Sequence, residues 1–139
     1  MMTLENVLEW IKTLPTKANY YYAGALLKKK EQSIGVYGLR TAYSREIAVG
    51  GAGCTKTLTK GISLLIHWTP STRLTEAAAQ AFYADICAAG RPVIGGYQVN
   101  YIELRQNEPI DVGADDDGIQ ERVIEFIIHY QDSKGEETT

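Results

Sequence analysis

From residue 119 to 130 the β-branched and aromatic side chains follow a period of two: Ile124, Phe126, Ile128 and Tyr130 share one face, and Glu121, Val123, Glu125, Ile127 and His129 share the other. This predicts a strand with one buried and one half-wet face, introduced by an acidic, glycine-bounded turn. Ile62, Leu64, Ile66 and Trp68 alternate with Ser63, Leu65 and His67 in the same way, which predicts a mostly buried strand closed by Pro70. Residues 19–27 (NYYYAGALL) and 33–39 (SIGVYGL) read as two further strands, joined as a β-hairpin by the charged KKKEQ turn. Residues 45–50 form a shorter strand candidate. Residues 93–104 read as another strand, whose apolar parity changes between Tyr101 and Ile102, as a β-bulge produces.

Two stretches keep a helical rhythm instead. Leu4, Val7, Leu8, Ile11 and Leu14 lie on one helical face, with Thr3 as N-cap, Glu5 in the favourable first turn and Pro15 as the stop. Leu74, Ala77, Ala78, Ala81, Phe82, Ile86 and Ala89 form a second such face, capped by Ser71 or Thr72 and ended by Gly90 and Pro92. The alternation of elements predicts an α+β fold, with two helices packed on a largely antiparallel, mixed β-sheet in one small domain over residues 1–130. Residues 131–139 contain no apolar side chain and are expected to be a disordered acidic tail.

Composition is consistent with a single self-sufficient core: 45% of the 139 residues are hydrophobic. The start of the chain shows no basic segment followed by an apolar run, and no stretch reaches the roughly 18 apolar residues of a membrane span, so a cytosolic protein without membrane contact is expected. The net charge of −3 is unevenly placed. Residues 1–104 carry 11 Lys or Arg against 7 Asp or Glu, whereas residues 105–139 carry 3 against 10. Such segregation points to two faces with different partners, or to complementary faces of copies of the same chain. A net-acidic chain is a poor dedicated binder of duplex DNA.

The candidate chemistry is sparse. Residues 47–57 (IAVGGAGCTKT) imitate a phosphate-binding loop, but the glycine needed directly before the lysine is replaced by Thr55, and a strand rather than a helix is expected next. Asp115, Asp116, Asp117 and Gly118 resemble a calcium loop; in the register that fits Gly118, the first and last ligand positions fall on Gly113 and Ile124, so a shaped polar turn is the better reading. His67 and His129 each precede an aromatic residue and lack partners at metal-ligand spacing, as do Cys54 and Cys87, read as buried or idle thiols. Lys28, Lys29 and Lys30 read as a solvated turn, and Tyr20, Tyr21 and Tyr22 on an alternating strand cannot all face one way. No nucleophile, base and orienter can be nominated together, so no enzyme, cofactor or metal is expected.

The ordered segments SIGVYG (33–38), EIAVGG (46–51), GISLLIHWTPST (61–72) with the following EAAAQAFYADI helix, and PIDVGADDDGIQERVIEFIIHY (109–130) resemble the minor capsid or tail terminator proteins of long-tailed bacteriophages. The resemblance implies a small α+β subunit that forms a homo-hexameric ring at the head-tail junction of the virion. Such a ring caps the finished tail tube, ends its polymerisation and offers a surface to head-tail connector proteins. The implied partners are further copies of the chain, the tail tube protein, the connector proteins, and DNA that passes through without specific binding. The resemblance transfers no residue roles. From their polar, small-residue character, residues 50–60 and 111–118 are expected to make the assembly contacts, with Gly50, Gly51, Lys56, Lys60, Asp111, Asp115, Asp116 and Asp117 as candidates. An acidic lumen would let DNA slide past. The alternatives are another junction ring component, such as a stopper or tail-completion protein, and a small nucleotide-binding cytosolic protein built on the Gly50–Thr57 loop.

Overall fold

The computed structural model describes residues 1–25, 30–40 and 57–134. They form a single α+β domain in which two helices, α1 (Leu4–Ile11) and α2 (Thr72–Ala88), pack on a curled, mixed sheet of seven strands. The strands are β1 (Tyr20–Ala23), β2 (Ser33–Gly38), β3 (Thr57–His67), β4 (Val93–Ile94), β5 (Tyr97–Leu104), β6 (Ile110–Ala114) and β7 (Gln120–Lys134). Their spatial order is β1-β2-β3-β7-β5-β4, and β6 pairs with β7 on the edge that β5 also uses further along. Neither helix is long and apolar enough to cross a membrane.

β7 organises the sheet, and its predicted parity holds. Ile124, Phe126, Ile128 and Tyr130 are all buried on the helix-covered face, beside Ile62, Leu64 and Ile66 of β3. Both helices reach the same core: Trp10 meets Phe126 edge-on at 6.3 Å between ring centres, and Phe82 meets Trp68 at 6.0 Å. Thr3 caps α1 as expected, in a reciprocal capping box with Asn6. Ser71 caps α2 by accepting from the Leu74 N–H.

Several expectations are corrected. β1 and β2 pair in parallel, with Tyr20 beside Ser33 and Ala23 beside Val36, so they are not a hairpin. The chain leaves β1 at Ala23 and re-enters the sheet at Ser33, level with Tyr20, so it is carried back to the end where β1 began. The buried face of α2 is Thr75, Ala79, Phe82 and Ile86, while Leu74 is 45% exposed. The helix is rotated because the Thr75 hydroxyl donates to the Thr69 carbonyl at 3.1 Å, which makes burial of a polar residue tolerable. Residues 93–104 are a hairpin, not one strand: Gly95 and Gly96, at φ +59° and +85°, form the two-residue turn that only residues tolerant of positive φ can make. The bulges of β5 lie between Tyr97 and Tyr101, just ahead of the expected position. β3 begins at Thr57, within the stretch expected to be loop, and β7 runs through Lys134, so residues 131–134 are strand rather than tail. Cys87 is exposed on α2, not buried. The strand candidate at residues 45–50, Cys54, and residues 135–139 lie outside the described residues.

Candidate functional site

The acidic segment is a hairpin turn joining β6 to β7, and one side chain builds it. Asp115 Oδ1 accepts from the N–H groups of Asp117 at 2.8 Å and Ile119 at 2.9 Å, while its backbone carbonyl accepts from Gly118 at 3.0 Å. Gly118 takes φ +82°, which an L side chain adopts only under strain. Asp115 is thus spent on the turn itself. Asp116 and Asp117 project from it, both exposed.

Beneath the turn lies His67, fully buried at the end of β3. The β3–β7 register sets it opposite Glu121, and its Nδ1 is 2.8 Å from Glu121 Oε2. A carboxylate at this distance pairs with an imidazole N–H, so the bond selects the tautomer with hydrogen on Nδ1. Nε2 stands 3.5 Å from Asp115 Oδ2 with no hydrogen bond between them, and the two attract only when the imidazole carries a proton on both nitrogens. His67 therefore ties the end of β3 to the start of β7 through Glu121, with the Asp115 carboxylate of the turn beside it.

Asp111, in β6, faces Arg122 across the β6–β7 pair and accepts from its Nη1 at 3.1 Å. Arg122 is only 5% exposed and also donates to the Glu121 carbonyl at 3.0 Å. Arg122 lines a cavity of about 120 Å³ between α2 and β6 together with Glu76, Gln80, Glu108 and Asp111. At the far end of the same sheet, His129 bonds Glu103 at 2.9 Å and stacks on Tyr101, with ring centres 4.1 Å apart. Tyr83, which donates to the Gln106 carbonyl at 2.7 Å, is held above the ordinary tyrosine pKa, first by burial and then by nearby Cys87.

Of the residues expected to make assembly contacts, Asp111, Asp115, Asp116 and Asp117 are brought together at the β6–β7 hairpin. Lys60 is not with them. It belongs to β3 rather than to a loop, opposite Ile128, and stands seven residues along the strand from His67, roughly 23 Å away at strand rise. Gly50, Gly51 and Lys56 lie outside the described residues. Strand β3 begins at the very next residue, Thr57, so a phosphate-facing helix N-terminus is absent there. His67 and Arg122 were not among the expected contacts. Parity puts His67 and Glu121 on half-wet faces, but only the register reveals that they are partners.

The chain matches no known family model, and a search of curated proteins finds no match.

Proposed function

We propose that this chain is a structural, non-catalytic subunit of a phage tail terminator, which caps the tail tube as a homo-hexameric ring at the head-tail junction and offers the head its docking surface. The observation that carries the reading is the β6–β7 turn. A buried histidine lies beneath a turn built on the backbone hydrogen bonds of one Asp115 oxygen, and the turn carries the exposed side chains of Asp116 and Asp117 at its tip. Fixing a charged tip at the expense of buried polar groups is useful to a protein that docks rather than reacts. The ordered segment resemblance supplies the biological setting: synthesis in the host cytoplasm, then residence in the virion, with the tube protein and connector proteins as partners and DNA passing through.

Complementation of a phage lacking this gene tests the proposal. The wild-type gene should restore tails of uniform length with heads attached, and the pair Asp116→Asn and Asp117→Asn should fold normally but assemble poorly. Overlong tails would indicate a tube contact, unattached heads a head contact, and poor ejection a role at the channel. If tails and plaques are normal without the gene, the terminator reading is wrong. Strand β3 directly after Lys56 disfavours the nucleotide-binding alternative; ATP or GTP binding at micromolar concentration would revive it.

A further inference from the structure

We infer that the outer edge of β1 in one copy of the chain pairs with the outer edge of β6 in the next, joining copies head to tail; this rests on the assembly reading above and names the surfaces that carry it. Among the described residues, no strand lies beyond β1 or beyond β6. The N–H groups of Tyr20 and Gly24 turn inward to carbonyls at the β2 side, so those of Tyr21 and Ala23, at alternate positions, point outward. β1 contains neither proline nor lysine, the usual devices that blunt an edge.

The two edges match in height. Tyr20, Ser33, His67, Glu121 and Gly113 form one row across the sheet, and Tyr22, Gly35, Leu65, Val123 and Ile110 another. β1 and β6 are therefore level on opposite sides of the sheet, four strand spacings or roughly 19 Å apart. They also run antiparallel, since β1 parallels β2, and the β2–β3, β3–β7 and β7–β6 pairs are each antiparallel. A copy shifted sideways presents β6 to β1 antiparallel and without a vertical step, and such head-to-tail contacts close into a ring when the rotation from copy to copy adds up to a full turn.

Charge selects this pairing over the others. Lys30 Nζ lies 5.0 Å from the Tyr20 ring centre, and Lys12 Nζ 5.9 Å from that of Tyr21; Lys17 joins them through the Lys12 carbonyl. Glu9 offsets Lys12 and exposed Glu31 follows Lys30, which leaves three lysines against two glutamates among the described residues named on this side, with Lys17 and Lys30 exposed. The β6 side presents Glu108, Asp116 and Asp117. Pairing β1 with β1 sets lysine against lysine, and β6 with β6 sets carboxylate against carboxylate, so only the head-to-tail contact attracts. Each edge strand adds one exposed apolar residue, Tyr20 at 38% and Val112 at 50%, the latter at the register shift between Asp111 and Gly113.

Sedimentation velocity and native mass spectrometry of the purified chain test this. The wild type should self-associate, more weakly at about 1 M salt. Lys17→Glu with Lys30→Glu, and separately Asp116→Lys with Asp117→Lys, should each weaken association at least about tenfold while circular dichroism and melting stay near wild type. Mixed in equal amounts, the two variants regain complementary edges and should reassemble in alternation, which no folding defect can mimic. A wild type that remains monomeric to about 1 mM, or variants that assemble singly as the wild type does, overturns the pairing. If the variants behave as expected but the phage builds normal tails without the gene, the edges stand and the terminator reading fails.

Discussion

Replacing His67 with phenylalanine tests whether the buried imidazole, by bonding Glu121, fixes the start of β7 directly beneath the acidic turn. The two side chains are similar in size, so the substitution removes donors without opening a large cavity. What is lost is a 2.8 Å hydrogen bond to Glu121, whose side chain is 20% exposed, and a 3.5 Å contact with Asp115, whose side chain is 8% exposed. A hydrogen bond to a charged group contributes about 1.5–3 kcal/mol, and leaving a partly buried acceptor unsatisfied adds to the loss, giving an expected destabilisation of about 2–4 kcal/mol. Urea unfolding should show this as a lower midpoint at an unchanged slope, since the core is untouched. Double-mutant cycles separate the partners: His67→Phe with Glu121→Gln should show a coupling above about 1 kcal/mol, and His67→Phe with Asp115→Asn a smaller one, because no hydrogen bond joins the pair at 3.5 Å. The amide of Ile119, bonded to Asp115 Oδ1, should exchange faster in His67→Phe than in the wild type. A loss below about 1 kcal/mol, or a larger coupling to Asp115 than to Glu121, would refute the account of His67 as a bridge between β3 and β7.

Phe126→Ala should cost about 3–5 kcal/mol in chemical denaturation, because the ring is fully buried and meets Trp10 edge-on; near-neutral stability would mean that the faces of β7 are assigned backwards. Gly95→Ala should destabilise by more than about 2 kcal/mol in thermal melts, since an added Cβ at φ +59° would lie 2.5 Å from Asn6 Cγ, in the side chain that completes the α1 capping box. Asp115→Ala should cost about 1–2 kcal/mol through its two lost turn hydrogen bonds, whereas Asp116→Asn with Asp117→Asn should stay within about 0.5 kcal/mol; equal losses in the two would contradict the division between a structural and an exposed aspartate.

Local pattern is enough for the elements that bury a regular stripe. The parity of β7 and of the second half of β3, the Thr3 cap, the Ser71 cap and the Asp115–Gly118 turn are all legible, because each depends on residues a few positions apart. The sense of a strand pair is not local. Whether β1 and β2 run parallel depends on where the connecting chain returns, and two apolar runs flanking a charged stretch look the same in either arrangement. The phase of α2 escapes a count of apolar positions alone, because a threonine with a carbonyl partner is buried as readily as an alanine. Gly95 and Gly96 carry a hairpin signal that the continuous run of β-forming residues masks. The candidate site divides in the same way. The sequence places acidic residues in one turn, but the β3–β7 register makes Glu121 the partner of His67, and the β6–β7 register gives Asp111 to Arg122. Strand order alone put a lysine-flanked edge and an acidic edge on opposite sides of the sheet at the same height, since register adds up across strands that the chain visits far apart in sequence.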